Sequence, residues 1–281
     1  MKRILSRLSK DPIGMLSIGF LILVLLLGAA SSVLPLPDPA AIDVAHKLET
    51  PSALHWLGTD HLGRDMLSRL IHAIPTTVYT ALVTVFATTL IGALWGAAAG
   101  VAGGRTDGVM MRICDVMMSF PSEVLILAVV GMMGPGLGNV VLACVVAKWS
   151  WYARMMRTLV RKEMQRGSVR FARVAGASPA RILATHVVSG VSGEYAVLMT
   201  LDTAAVILMI SALSFLGLGV QPPAAEWGMM LAEAKNELSL HPWQMLPAGF
   251  AIILVVAAFN FTGDAIRDAM DARHDPEGVN A

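Results

Sequence analysis

Cysteine is nearly absent. Cys114 and Cys144 are the only two in 281 residues; both sit in apolar surroundings and neither belongs to a CxxC pair. That excludes a disulfide framework and leaves each as a small packing residue. Charge is scarce as well, at 15% of residues, while 56% are hydrophobic. Soluble domains carry about 25% charged and about 45–50% apolar residues, so a water-soluble monomer is excluded. The net charge of +1 gives no reason to expect a nucleic-acid partner. No P-loop, HExxH, GxSxG or strand-following GxGxxG occurs. The chain therefore has no nucleotide-hydrolysis or familiar hydrolase site of its own, and no catalytic residue is expected.

What is present is long apolar runs. Mean hydropathy is +0.66, and the runs are long enough to cross a hydrocarbon core about 30 Å thick. The first, Gly14 to Val33, follows Lys2, Arg3, Arg7 and Lys10 and reads as a retained anchor, not a cleaved signal. A proline-rich polar stretch then reaches about Ile74. A second span is expected over Thr77–Ala102, where Gly92, Gly96 and Gly100 at four-residue spacing let another helix approach closely. The third is expected over Val109–Met133, ended by Gly134-Pro135-Gly136. The fourth starts at Gly138 and reaches an aromatic belt at Trp149, Trp151 and Tyr152. The fifth and sixth are expected over Tyr195–Leu218 and Met245–Gly263. The resulting fold class is all-α, a polytopic membrane protein with six transmembrane helices. Its parts are a cytoplasmic segment 1–12, a first helix and outer loop 13–76, a five-helix core 77–268 and a tail 269–281.

Charge position sets the orientation. Eight of the 21 basic residues lie between Arg154 and Arg181, with only Glu163 against them. The positive-inside rule assigns this segment and both termini to the cytoplasm. Within it, a helix is expected to continue from the fourth span to Ala175. Gly176 would break it, and Ser178 with Pro179 would start a second helix. Such a turn, exposing Ala177 and Ile182, suits a protein partner; contact with anionic membrane lipid explains the arginines but needs no capped turn. At the opposite end, Thr59 or Asp60 can cap a helix running through Leu67 and Leu70. Structural and partner-contact roles both remain open there.

Charges inside spans are costly and mark candidate pathway positions. Asp202 lies seven residues into the fifth span and needs either a pore or a polar partner. Asp115 and Glu123, eight residues apart, would share one face of the third helix. Met209 is a further candidate lining residue in the fifth span. Most of the 18 methionines read as packing, since adjacent pairs cannot both face one pore. No span contains a histidine, and His46, His55, His61 and His72 cluster in the outer loop without a metal-ligand spacing. No metal site is expected.

Two long segments, His55-Trp56-Leu57-Gly58-Thr59-Asp60-His61-Leu62-Gly63-Arg64-Asp65 and Ser214-Phe215-Leu216-Gly217-Leu218-Gly219-Val220-Gln221-Pro222-Pro223 with Glu226-Trp227-Gly228, are similar to signatures of the dipeptide, oligopeptide and nickel permeases of bacterial ABC importers. Asp115 to Pro121, Trp149 to Met155 and Leu201-Asp202 most resemble the nickel-permease subgroup. The basic segment resembles the family's EAA loop at Ala172 and Gly176 only: Arg170 stands at the glutamate position, Phe171 at the first alanine, and Val188-Ser189 where Leu-Pro is usual.

The resemblance implies a type I importer permease fold in the inner membrane, importing nickel or a nickel chelate, with a dipeptide or oligopeptide importer as the alternative. It implies no cofactor in this chain, ATP and Mg being bound by two partner ATPase subunits, together with a second homologous permease and an extracytoplasmic solute-binding protein. Arg170, Phe171, Ala172, Gly176, Ala177 and Ile182 would form the ATPase-coupling loop. Thr59, Asp60, Arg64 and Asp65 would contact the binding protein. A secondary transporter is a further alternative, which would need an ion-coupling site and usually an internal repeat; no repeat is visible.

Overall fold

The computed structural model describes residues 8–270; Lys2, Arg3 and Arg7 of the basic start, and residues 271–281 of the tail, lie outside the described residues. Helix α1 spans Pro12–Ala30 and starts where Asp11 accepts a hydrogen bond from the Ile13 amide (3.1 Å), with Pro12 at the first helical position. After the outer loop, α2 (Met66–Ile74) runs through a widened π-helical turn, Pro75–Tyr79, into α3 (Thr80–Ala102). The second span therefore begins at Met66, earlier than hydropathy suggests. The wide turn accommodates Pro75, which has no N–H to donate and would clash inside a regular helix.

The third span is not one helix. α4 (Gly104–Met117) and α5 (Ser122–Met133) meet at a 72° bend. Pro121 precedes α5 in extended conformation, so the chain leaves helical geometry at Ser119–Pro121. Asp115 and Glu123 consequently stand on different helices and share no face. α6 covers Leu137–Met164, and the expected continuation to Ala175 is interrupted at Gln165-Arg166 before the short α7, Gly167–Val174. Gly176 adopts φ +82°, the left-handed geometry expected of a turn glycine. α8 (Pro179–Ile182) follows, capped by the Ser178 hydroxyl, which accepts from the Arg181 amide. A second π-helical turn, Leu183–Val187, leads into α9 (Val188–Phe215). The short α10 (Trp227–Ala234) and the long α11 (Leu246–Met270) complete the fold.

Four helical segments are long and apolar enough to cross a membrane: α1, α2–α3, α9 and the one ending in α11. The bent pair α4–α5 makes a fifth. α6 is long enough but carries Lys148 and, in its second half, Arg154, Arg157, Arg161 and Lys162, which lower its hydropathy. It completes the six-helix bundle by packing along α3, the most extensive helix pairing in the chain. The glycine stripe makes that pairing possible. A Cβ at Gly92 would lie 2.4 Å from Tyr152 Cβ, one at Gly96 2.1 Å from the Ala153 carbonyl oxygen, and one at Gly100 2.8 Å from Val160 Cγ1. Without a hydrophobic driving force between helices in lipid, such backbone proximity supplies the packing energy.

The main core joins Val78, Val85, Val140, Cys144, Ile207, Ile210 and Val255. A second cluster nearer the basic end joins Tyr152, Met156, Val160, Val169, Ile182, Val187 and Tyr195. Ile182 is thus a core residue at 3% exposure, not a displayed one, because it joins the apolar cluster built on Met156, Leu159 and Val160 of α6. Both cysteines are free and buried.

Candidate functional site

A cavity of about 410 Å³ opens where the α4–α5 bend leaves a gap against α6 and α9. Met118, Phe120, Glu123, Lys148, Trp151 and Asp202 line it. Lys148 of α6 donates to Asp202 Oδ1 of α9, with both side chains about one-fifth exposed. The second carboxylate oxygen, Asp202 Oδ2, is buried, and the Tyr152 hydroxyl stands against the carboxylate. Glu123, at the start of α5, is exposed and accepts from the Ser122 hydroxyl at 2.9 Å. Apolar walls surround one fixed cation and two carboxylates, and the volume falls within the roughly 300–1,000 Å³ of small-molecule pockets.

The outer loop is organised by a denser network. Arg64 Nε donates to Asp60 Oδ2 (2.6 Å). Two arginine nitrogens meet Glu233 Oε2 of α10, from Arg64 at 3.0 Å and from Arg69 at 2.7 Å. Arg64 and Arg69 are 2% and 1% exposed. Asp65, not Thr59 or Asp60, caps α2, accepting from the Ser68 amide at 2.7 Å while its other oxygen meets His55 Nδ1 at 2.9 Å. Thr59 bridges the loop, accepting from the Glu49 amide and donating to the His46 carbonyl; its own carbonyl accepts from Gln244 Nε2. All four residues singled out in this loop are therefore buried within the chain. The loop instead displays Leu54 and Trp56, 76% and 71% exposed.

Beneath this loop, Glu226 caps α10 through the Met229 amide (2.8 Å) and accepts from the Thr77 and Ser211 hydroxyls. It lies in the connection after α9, outside the spans. Burial pushes its carboxyl up from the usual range, opposed by the amides of Gly228 and Met229. Among the described residues no group of three or more histidine, cysteine, aspartate or glutamate side chains stands close enough to hold a metal ion.

At the basic end, acidic residues from elsewhere answer the arginines of α6. Asp107 of α4 receives Arg157 through two bonds (2.5 and 2.6 Å) and also Arg161, Asp115 receives Arg154, and Glu194 receives Lys162 at 3.0 Å. Phe171 and Val174 of α7 are 75% and 88% exposed, and Arg170 is exposed beside them. Ala172 and Ala177 rest against the second cluster.

The structure thus brings Asp202 and Glu123 to one cavity, sends Asp115 to Arg154, and packs Met209 against the main core. Sequence reasoning missed Lys148. A lone lysine in the apolar run from Leu137 to Trp151 was its signal, opposite in sign to Asp202 on another span.

Residues 89–275 match the family described as "Binding-protein-dependent transport system inner membrane component". The chain is 44% identical over 270 residues to the metal-staphylopine import system permease protein CntC of Staphylococcus aureus (strain NCTC 8325 / PS 47), covering 96% of this chain and 93% of that protein. It is 42% identical over 234 residues to the nickel transport system permease protein NikC of Escherichia coli K12, covering 83% and 84%. Against the probable D,D-dipeptide transport system permease protein DdpC of the same strain, identity is 37% over 266 residues, covering 95% and 89%. Among solved structures, an inward-facing form of the MetNI methionine ABC transporter aligns with a TM-score of 0.52 at 15% identity, covering 73% of this chain and 97% of that one. At that identity the likeness concerns the fold alone.

Proposed function

The chain belongs to the family of binding-protein-dependent transport system inner membrane components, and from that premise we propose that this ABC-importer permease subunit passes nickel or a nickel chelate across the inner membrane. The secondary-transporter alternative lapses with the family assignment. The observation that carries the metal reading is the identity of 44% and 42% to permeases named for metal-staphylopine and nickel import. A dipeptide importer is the second reading, supported by 37% identity to a D,D-dipeptide permease across 95% of the chain.

In this reading the basic end faces the cytoplasm with both termini, and two ATPase subunits bind ATP and Mg there. Phe171 and Val174, with Arg170, offer the apolar and basic surface for docking, while Ala172, Gly176, Ala177 and Ile182 hold its shape. A second, homologous permease chain completes the path. Thr59, Asp60, Arg64 and Asp65 keep the outer loop rigid so that Trp56 and Leu54 meet the solute-binding protein. Uptake of radioactive nickel and of a labelled dipeptide in a strain deleted for this chain tests the substrate. Restored nickel uptake on complementation is expected, and restored dipeptide uptake alone would replace the metal reading by the peptide one.

A further inference from the structure

We infer that the groove between α1 and α11 binds a phospholipid whose headgroup carries a primary ammonium, the phosphatidylethanolamine class, with Asp264 and Asp268 holding the headgroup. The inference goes beyond the transport reading and does not depend on which substrate passes.

The groove has a volume of about 310 Å³, and Ser17 is the one polar side chain along it. Leu16 and Phe20 of α1 face Leu254, Ala257 and Phe261 of α11 across it. Leu16, Leu254 and Phe261 are 76%, 52% and 49% exposed, so nothing in this chain covers the slot. From Ile13 to Phe20 it runs about 10 Å at 1.5 Å per residue, most of one leaflet of a hydrocarbon core about 30 Å thick. An apolar slot of that depth, open to the bilayer, takes an acyl chain.

The charges at its mouth choose the headgroup. Gly14 and Ala265 meet so closely that a Cβ on Gly14 would lie 2.5 Å from Ala265 Cβ, which sets the start of α1 level with the last turns of α11. On α11, Leu254, Ala257 and Phe261 continue at helical spacing into Asp264 and Asp268. Both aspartates are exposed, and among the described residues neither has an ion-pair or hydrogen-bond partner. Arg267 stands between them in sequence but lines a different cavity, with Lys162 and Glu194. On the α1 side are Asp11, which caps the helix, and Lys10, exposed and in no ion pair among the described residues. One lysine against three aspartates leaves the mouth net negative.

A zwitterionic headgroup with a primary ammonium matches this arrangement. Its phosphate meets Lys10, and its ammonium donates charge-assisted hydrogen bonds to Asp264 and Asp268. An anionic glycerol headgroup brings a phosphate without a cation and is repelled by the aspartates. A choline headgroup has the positive charge but no N–H to donate. The preference is opposite to that of the arginine-rich segment at the same end of the bundle, which suits anionic lipid.

The complete importer, purified in detergent with its ATPase subunits, is given equal amounts of phosphatidylethanolamine, phosphatidylglycerol and phosphatidylcholine with identical acyl chains. Native mass spectrometry reads the affinity for each lipid in the wild type, in Asp264→Asn/Asp268→Asn, and in Ala257→Phe, which fills the groove. Wild type is expected to hold phosphatidylethanolamine about three- to tenfold more tightly than the other two, the size of one or two exposed charge pairs. The asparagine pair should erase that preference, and Ala257→Phe should lower retention of all three lipids. Equal affinities in wild type, an unchanged preference in the asparagine pair, or undiminished phosphatidylethanolamine retention in Ala257→Phe overturns the site. Should Ala257→Phe fail to assemble, the smaller Ala257→Leu is judged by the same criterion. No uptake enters this readout, so the loss of either substrate reading would leave it standing.

Discussion

The outer-loop network and the mid-bundle pair are built from the same side-chain chemistry and differ in how fully their atoms are satisfied. Two arginines, Asp60 and Glu233 form a closed set in which each carboxylate faces both guanidiniums, 1–2% exposed on the arginine side. Lys148 and Asp202 form a single ion pair beside an open cavity, with the Tyr152 hydroxyl against the carboxylate. The first arrangement holds α2, the loop and α10 in one geometry. The second is a lone pair, about one-fifth exposed to the cavity beside it.

Breaking the closed set should produce the largest effect. Glu233→Gln removes one of the two charges that compensate two buried guanidiniums and leaves only Asp60 between them, a loss of about 3 kcal/mol or more. Thermal unfolding of the detergent-purified protein should show it as a large fall in Tm, together with less protein in the membrane. A Tm within two or three degrees of wild type would make the network a bystander.

Backbone packing comes next. Gly96→Ala places a methyl 2.1 Å from the Ala153 carbonyl oxygen, which forces α3 from α6, and overpacking of this kind costs about 1–3 kcal/mol. Gly108→Ala on α4 has nothing within 4 Å of the new methyl and should match or slightly exceed wild-type stability in the same melt. Gly176→Val puts a β-branched residue at φ +82°, a strain of about 1–3 kcal/mol confined to the turn. Its expected signature is ATP hydrolysis no longer linked to uptake, with normal membrane insertion. Normal uptake would remove the turn from coupling.

The mid-bundle pair should show the reverse profile. Asp202→Asn keeps shape but leaves the Lys148 ammonium without its counter-charge, so Tm should fall, by less than in Glu233→Gln because the pair is about one-fifth exposed, while uptake collapses. Asp202→Leu leaves Lys148 without its partner and should impair assembly as well. Wild-type uptake in Asp202→Asn would erase the contrast between the two regions.

The smallest effect concerns pH. Burial raises the Glu226 carboxyl above its unfolded value, so the folded state binds this proton more tightly. That contribution is fully present below the unfolded pKa, near 4.5, and is lost as pH rises through the folded value. Glu226→Gln has no such term. The Tm advantage of wild type over the variant should therefore shrink between pH 5 and pH 8, and an advantage that grows would reverse the assignment.

Hydropathy and local chemistry were enough to identify the all-α membrane fold, the glycine stripe of α3, the Gly176 turn and the Ser178 cap, because each depends on residues within a few turns of one another. The bend was also signalled locally, by Pro121, but continuous apolar character hid it. Who pairs with whom was decided only in three dimensions. Lys148 meets Asp202 across 54 positions, Arg69 meets Glu233 across 164, and Asp107 gathers Arg157 and Arg161 from another helix. A helical period tells which face a residue occupies and says nothing about which helix covers that face. For charges held largely out of water, the partner determines whether a residue braces the fold or remains available to a ligand.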